Sequence, residues 1–176
     1  MRDTTSEQIR ITLSQIQLDY AENAGRRRTA YNRKTNARHK WESGHTENPG
    51  EDPGKVRDLI GARAEAAVSI ALRYPWNGSP GTRDVADVGP YHVRGTAMPW
   101  HKLILHPEDL DDAPHILVTP ASRDSRYTFF LRGWLWGHEG KLSKYWGEYG
   151  EKGRPAFWIP QHALRPMNTR PTLSDH

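Results

Sequence analysis

Residues 84–96 read DVADVGPYHVRGT, and this short stretch decides how the rest of the chain is interpreted. Asp87 stands between valines, the Gly89-Pro90 pair predicts a turn, and Arg94 falls in a strand-like run. A charge close to apolar residues is costly without a partner, so both charges need either an ion pair or a chemical role. Because side chains alternate along a strand, we expect His92 and Arg94 on one face of it.

Short runs of β-branched and aromatic residues, separated by turn residues, predict a set of strands around this stretch. They fall at residues 84–88, 91–96, 102–105, 115–119, 127–136 and 156–160. One short helix is expected around residues 138–146, before the last strand. The pattern predicts an α+β fold with a mixed β-sheet flanked by helices.

In the N-terminal third of the chain, apolar residues recur at helical spacing. A capping-box pattern at Thr4 and Glu7, followed by apolar side chains from Ile9 onward, predicts a first helix that reaches about Gly25. Residues 55–73 predict a second helix with one apolar face. Both helices precede the predicted strands in the chain.

Composition divides the chain into three parts. Residues 43–54 contain two Pro-Gly steps and no apolar anchor, which is typical of a linker. We therefore predict a helical basic extension with its linker at residues 1–54 and a folded domain at residues 55–167. Residues 168–176 are expected to form a frayed C-terminal tail.

The bulk composition narrows the classes of protein. The chain has 176 residues, a net charge of +4 and no cysteine, which excludes disulfides, thiol catalysis and thiolate zinc sites. Its mean hydropathy is −0.86, and its apolar runs are far too short to span a bilayer. No apolar signal region follows the N-terminus. We expect an intracellular, cytoplasmic protein with no membrane association.

Positive charge is concentrated between residues 26 and 40. This segment holds seven Lys and Arg residues and no acid. Such a block suits a phosphate backbone, because each neutralised phosphate releases counterions. The predicted nucleic-acid contacts are Arg26, Arg27, Arg28, Arg33, Lys34, Arg38 and Lys40. The other interpretation is a solvated surface segment without a partner.

Aromatic residues crowd the last third of the chain. They could stack on bases, but residues of this kind more often belong to a core. Trp134 and Trp136 are two positions apart in a predicted strand, so we expect both on one face of the sheet. A core role is favoured.

An ordered set of motifs extends from Gly61 to about Met167. They read 61-GARAEAAV-68, 87-DVGPYHVRGT-96, 103-LILHPEDLDDAPHILVT-119, 133-GWLWGHEGK-141 and 154-RPAFWIPQHAL-164. In content and order this set resembles a group of small phage-encoded proteins related to the PD-(D/E)XK nuclease superfamily. The resemblance implies a restriction-endonuclease-like fold, DNA as partner, and phosphodiester hydrolysis with Mg²⁺ or Mn²⁺ in the bacterial host cytoplasm.

The resemblance also implies roles for four residues. Glu65 matches the family's helical acid that supports the metal, and Asp87 matches the metal-ligating aspartate. His92 and Arg94 fall where the (D/E)XK element belongs, so that Glu65, Asp87 and His92 are the implied metal ligands. A divalent metal held in this way would activate water and neutralise developing charge.

Two of these positions depart from the family's pattern. His92 stands in place of an acid, and imidazole is a poorer ligand for Mg²⁺ than for Mn²⁺. Arg94 stands in place of lysine and cannot act as a proton-transfer base, because a guanidinium stays protonated. The interval from Asp87 to His92 is also short for the family.

Structural alternatives remain for each site residue. Glu65 could be a solvated helix residue, Asp87 a turn aspartate before Gly89-Pro90, and Arg94 a strand cation paired with Asp84 or Asp87. Two functional hypotheses follow. One is a metal-dependent DNA nuclease, and the other is a catalytically degenerate nucleic-acid-binding or host-interaction phage protein. A structural phage protein without a nucleic-acid partner is a weaker third.

Overall fold

The computed structural model describes residues 8–35, 50, 52–80, 84–148 and 155–172. Its elements, in chain order, are β1 (Ile9–Thr12), α1 (Gln15–Lys34), α2 (Pro53–Leu72), β2 (His92–Gly95), β3 (Leu103–Leu105), β4 (Pro114–Pro120), β5 (Thr128–Trp136), α3 (Gly137–Gly140), β6 (Trp146–Gly147) and β7 (Ala156–Ile159). Short 3-10 turns lie at Ser143–Tyr145, Gln161–Ala163 and Met167–Thr169. The α+β class is confirmed.

The main sheet has the strand order β1-β5-β4-β2. Strand β2 runs parallel to β4, whereas β5 runs antiparallel to both of its neighbours, so the predicted mixed sheet is confirmed. A second, antiparallel sheet has the order β3-β7-β6. Strand β2 is an edge strand of the main sheet, and this position matters for the site described below.

Apolar side chains fill both faces of the main sheet. On one face, Val93 and Ile116 pack with Val68 of α2 in the larger core cluster. On the other face, Leu117 and Leu135 pack in a smaller cluster with residues of the second sheet. This arrangement follows from the alternation of side chains along β2, β4 and β5.

The first helix begins later than the sequence predicts. Ser14 is its N-cap: the Ser14 hydroxyl accepts from the Gln17 amide, and the Gln17 side chain accepts from the Ser14 amide. Ile9 lies before this cap and pairs with Leu131 as part of β1. The expected helix across residues 9–12 is therefore wrong, because Ser14 offers a complete capping box and the alternating isoleucines suit a sheet edge.

Within segment 1–54, which the sequence sets apart, the described residues contact the rest of the fold through β1 and α1. Strand β1 is the outer strand of the main sheet beside β5, and α1 packs along α2. A Cβ on Gly25 would lie 3.0 Å from the Leu59 Cα, so the two helices approach closely there. No helix in the described ranges has the length and apolar character needed to cross a bilayer. Most of the predicted linker lies outside the described residues.

The strand predicted at residues 84–88 is a turn instead. Val88 and Tyr91 form an isolated bridge, and the Asp87 amide donates to the Tyr91 carbonyl at 2.9 Å. Gly89 has a φ of 56°, the left-handed backbone that a tight turn requires. Residues 84–88 therefore belong to a tight connection into β2 and do not form a strand.

The segment after Pro166 is ordered on the core as far as it is described. Met167 is buried, and the Trp134 indole Nε1 donates to the Pro166 carbonyl at 3.1 Å. The Tyr91 hydroxyl, which is buried, donates to the Pro171 carbonyl. A frayed tail is expected from the sequence. In the structure, Met167 contributes an apolar side chain to the core, and Thr169 and Pro171 contribute hydrogen-bond acceptors to Trp134 and Tyr91.

Candidate functional site

Asp87 lies along the free edge of strand β2. Its Oδ2 accepts a hydrogen bond from the Val93 amide at 2.8 Å. An edge strand presents unpaired amides, and this carboxylate satisfies one of them. Asp87 is thus part of a turn, in agreement with one interpretation of the sequence, and its half-buried carboxylate lies at the edge of the sheet.

Glu65 is buried between the two long helices, with only 5% of its surface exposed. Its Oε1 accepts from Arg28 Nη1 at 2.7 Å, and its Oε2 accepts from Arg28 Nη2 and from the Trp76 indole Nε1, the latter at 2.8 Å. A solvated glutamate at this position is therefore wrong. Both carboxylate oxygens already have strong donors.

Arg28 reaches Glu65 from helix α1. Leu18, Ala21 and Gly25 precede it at spacings of three to four, so that Arg28 lies beside the buried face of the helix. Its Nη2 also donates to the Ser79 carbonyl at 3.0 Å. Burial alone would lower the pKa of Arg28, but the hydrogen bonds and charge of Glu65 raise it overall.

Glu65 and Asp87 line one cleft of about 550 Å³. The remaining lining residues come from the segments after α2 and before β2: Pro75, Trp76, Asn77, Ser79, Pro80, Val85, Ala86 and Gly89. A volume of this size is typical of ligand-binding clefts, which reach roughly 300–1,000 Å³. Glu65 and Asp87 therefore lie on the walls of the same cleft.

The two carboxyl groups influence each other electrostatically. Burial raises the pKa of Glu65, the Arg28 hydrogen bonds lower it in part, and the negative charge of Asp87 raises it further. Burial also raises the pKa of Asp87, against the opposing effects of the Val93 amide and Arg94. A cation beside two such carboxyl groups would stabilise their charged forms and lower their pKa values.

His92 and Arg94 point to the other face of the sheet. Val93 packs in the core with α2, and a Cβ on Gly95 would lie 2.7 Å from the Ala64 Cβ. The side chains of His92 and Arg94, which alternate with these two residues, therefore face the second sheet. There Arg94 forms an ion pair of 2.9 Å with Asp109. The partner expected from the sequence, Asp84 or Asp87, is replaced by an aspartate from the loop after β3.

The implied metal ligands do not assemble into a metal site. Glu65 and Asp87 share a cleft, but His92 lies across the strand, where its ring is 5.1 Å from that of His115. Within residues 8–35, 52–80, 84–148 and 155–172, no three His, Asp or Glu side chains are grouped so that they could hold a metal ion. Because Arg28 and Trp76 already donate to Glu65, this donor set does not fit Mg²⁺ or Mn²⁺.

The predicted basic segment divides along helix α1. Arg26, Arg27, Arg33 and Lys34 are exposed, whereas the Arg28 side chain is only 11% exposed. Arg33 pairs with Asp52, and Arg26 lies 2.9 Å from Asn23 Oδ1. Arg38 and Lys40 lie outside the described residues. The exposed cations, together with the exposed Tyr31, form one outer surface of α1.

Sequence reasoning misses three residues that shape the site. It assigns Arg28 to DNA, although the spacing of Arg28 from Leu18, Ala21 and Gly25 places it near the buried face of α1. Trp76 and Asp109 come from connecting segments with no periodic signal. Their partners, Glu65 and Arg94, can only be identified once the helices and loops are positioned by tertiary packing.

No family model, no curated protein and no solved structure matches the chain. The resemblance to the PD-(D/E)XK superfamily therefore remains an interpretation of the motifs.

Proposed function

We propose that the chain binds DNA through the outer surface of α1 and does so without a divalent metal ion. The observation that carries this proposal is the row of four exposed cations, Arg26, Arg27, Arg33 and Lys34, on one helix. At a rise of about 1.5 Å per residue they lie within about 12 Å along the axis. We call these four residues the α1 basic face.

The α1 basic face is suited to a phosphate backbone. No acidic residue occurs between Asn23 and Thr35; Glu22 lies 3.8 Å from Arg26, and Asp52 pairs with Arg33. That pair is weak, because the Arg33 side chain is 67% exposed and water screens its charge. Tyr31, which is half exposed, offers an aromatic surface among the cations for an unpaired base.

The finer fold assignment belongs to the same proposal. A helix that carries Glu65 packs on a mixed sheet whose edge strand is bordered by Asp87, in the order that the resemblance implies. We propose that the domain is a catalytically degenerate, phage-encoded member of the PD-(D/E)XK superfamily that acts in the bacterial cytoplasm. The Arg28 fork on Glu65 supports the loss of metal chemistry.

The test of the basic face is DNA binding as a function of salt. Fluorescence anisotropy with a labelled duplex would compare the wild type with the double variant Arg27→Ala/Lys34→Ala. Each phosphate that the variant no longer neutralises lowers the salt slope by about 0.9, so we expect weaker binding and a slope reduced by about 2. The variant Arg10→Ala/Lys144→Ala removes the same charge from exposed positions on other elements and should behave nearly as the wild type.

Two outcomes would contradict the proposal. One is unchanged affinity and slope in Arg27→Ala/Lys34→Ala. The other is an equal loss in both double variants, which would mean that net charge alone drives binding. A wild type that does not bind DNA at low salt would leave the host-interaction alternative in its place.

Metal-dependent DNA hydrolysis is the second candidate function. It is favoured by one observation: Glu65 and Asp87 share a cleft. Plasmid nicking in Mg²⁺, in Mn²⁺ and in EDTA tests it, with Asp87→Asn as the variant, since asparagine keeps an acceptor for the Val93 amide. Cleavage that requires metal and disappears in Asp87→Asn, while DNA binding persists, would establish the nuclease. We expect no cleavage in any of the three conditions.

A further inference from the structure

We infer that the Arg28 guanidinium is the resident cation of the Glu65–Asp87 cleft, and that it holds the place that a divalent metal ion would otherwise take. Removing the guanidinium is expected to convert the two carboxylates into a divalent-cation site. The inference concerns the chain's own residues and does not depend on whether the protein binds DNA.

Hydrogen bonding fixes the guanidinium in place. Arg28 contacts both oxygens of Glu65 and also donates to the Ser79 carbonyl at 3.0 Å. A two-point contact between a planar guanidinium and a carboxylate is among the strongest charge-assisted arrangements in proteins. A metal ion could reach Glu65 only by displacing these donors.

The packing of the two helices delivers Arg28 to this position. Helices α1 and α2 approach closely at Gly25, one turn before Arg28. Gly61 lies one turn before Glu65, and a Cβ there would be 3.9 Å from Arg28 Nη1. A larger side chain at Gly61 would therefore occupy space beside the guanidinium. Gly25 permits the close approach of the helices, and Gly61 leaves the space beside the guanidinium open.

The charge arrangement also calls for a cation at this point. Glu65 is buried, Asp87 lies in the same cleft, and each carboxyl group raises the cost of ionising the other. The guanidinium supplies a single positive charge. It stays protonated, and as part of the chain it cannot dissociate as a bound ion can. It also cannot bind and activate water as a divalent metal does. The cleft consequently holds a cation beside its carboxylates without the chemistry of a metal ion.

The test measures cation binding by the full-length chain. The main variant is Arg28→Gln, which removes the charge and keeps an amide donor, and the matched control is Arg33→Gln, which removes an exposed guanidinium from the same helix. Mn²⁺ binding is followed by the loss of the free-ion electron paramagnetic resonance signal. Tb³⁺ luminescence sensitised by Trp76, whose indole contacts Glu65, reports binding at this particular cleft.

We expect Arg28→Gln to bind Mn²⁺ at least about tenfold more tightly than the wild type and Arg33→Gln, since the freed Glu65 carboxylate and Asp87 supply oxygen ligands for such an ion. The gain should vanish in Arg28→Gln/Asp87→Asn. Tb³⁺ luminescence should rise in Arg28→Gln alone. Wild-type binding as tight as that of Arg28→Gln, or a folded Arg28→Gln that binds no better than the wild type, would overturn the inference.

Loss of Arg28 leaves a buried carboxylate without its partner, so Arg28→Gln could unfold without metal. Two measurements keep the inference testable in that case. Mn²⁺ should restore the circular dichroism and raise the Tm of Arg28→Gln, and its failure to do so would overturn the inference. Arg28→Gln/Glu65→Gln, which removes both charges, should fold in EDTA and show no gain in Mn²⁺ binding.

Discussion

The imidazole rings of His92 and His115 lie 5.1 Å apart, in register on the parallel strands β2 and β4. His115 is fully buried: its Nε2 lies 3.2 Å from the Leu110 carbonyl, and its Nδ1 has no hydrogen-bond partner in the described structure. Burial, together with the positive charge of Arg94, lowers the pKa of His115 to about 4. The ring is neutral in the folded protein at neutral pH.

The first prediction is a loss of stability in mild acid. The folded pKa of His115, about 4, lies below its ordinary value of 6.5, so the unfolded chain binds more protons between these two pH values. The free energy of unfolding should therefore fall as the pH drops from about 6.5 towards 4, by up to about 3 kcal/mol from this residue. Urea unfolding at a series of pH values measures it.

The control for this prediction is His115→Phe, which keeps a ring and removes the titrating group. Its pH profile should be flatter than that of the wild type. Glu65 and Asp87, whose pKa values are raised, contribute with the opposite sign because their folded forms bind protons more readily. They are present in both proteins and cancel in the difference. Parallel profiles would show that His115 is not responsible.

The second prediction concerns the ion pair between Arg94 and Asp109. Asp109 is only 5% exposed, and its other oxygen accepts from the His106 amide at 2.9 Å. Arg94→Met would leave this carboxylate without a cation, at a cost of about 3 kcal/mol in the free energy of unfolding. Chemical denaturation measures the change.

Two comparisons separate charge from packing in that experiment. Arg94→Met/Asp109→Asn should recover much of the loss, because the unpaired charge is removed. Arg33→Met breaks an exposed pair and should cost less than about 1 kcal/mol. An equally small effect for Arg94→Met would mean that the Asp109 pair contributes little.

The third prediction compares two glycines with different surroundings: Gly95 on β2 and Gly61 within α2. A Cβ on Gly95 would lie 2.7 Å from the Ala64 Cβ and 2.9 Å from the Ile60 carbonyl oxygen, so Gly95→Ala must push α2 away from β2. We expect a loss of about 1–3 kcal/mol in the free energy of unfolding. Gly61→Ala meets only one atom, at 3.9 Å, and should instead gain about 0.5–1 kcal/mol, as alanine does in helices. A Tm that moves in the same direction for both variants would contradict this packing.

The fourth prediction tests the C-terminal segment. A chain that ends at Arg170 lacks the Pro171 carbonyl and leaves the buried Tyr91 hydroxyl without its acceptor, which should cost about 1–3 kcal/mol. Tyr91→Phe in the shortened chain removes the unsatisfied hydroxyl and should recover part of the loss. A double-mutant cycle by urea unfolding measures the coupling. Strictly additive effects would show that the Tyr91–Pro171 hydrogen bond does not stabilise the fold.

Much of the second half of the fold is predictable from sequence. The strands expected at residues 102–105, 115–119 and 127–136 are confirmed as β3, β4 and β5, because short runs of aliphatic and aromatic residues bounded by turn residues mark them clearly. Trp134 and Trp136 share a face, with ring centroids 5.7 Å apart. Strand β1 escapes prediction because Ile9 and Leu13 fit helical spacing as well as a strand followed by a cap.

The site is predictable only in part. The resemblance implies that Glu65 and Asp87 belong to one site, and both residues line the same cleft. The partners of these acids are not predictable, because Arg28 contacts Glu65 across the packing of two helices, and Asp109 reaches Arg94 from a loop. Contacts of this kind depend on how elements dock, which local patterns do not encode. Alternation predicts that His92 and Arg94 share one face of β2. It does not predict which face of β2 packs against α2.

The pairing of β1 with β5 also imposes an order on folding during synthesis. Ile9 lies opposite Leu131, so β1 leaves the ribosome well before β5 and has no partner in the described sheet until β5 has emerged. Contacts between residues so far apart require a long loop to close and form slowly. In the interval β1 is an unpaired strand that can add to the edge of another nascent chain. Strand β1 is thus open to misassembly until β5 has been made.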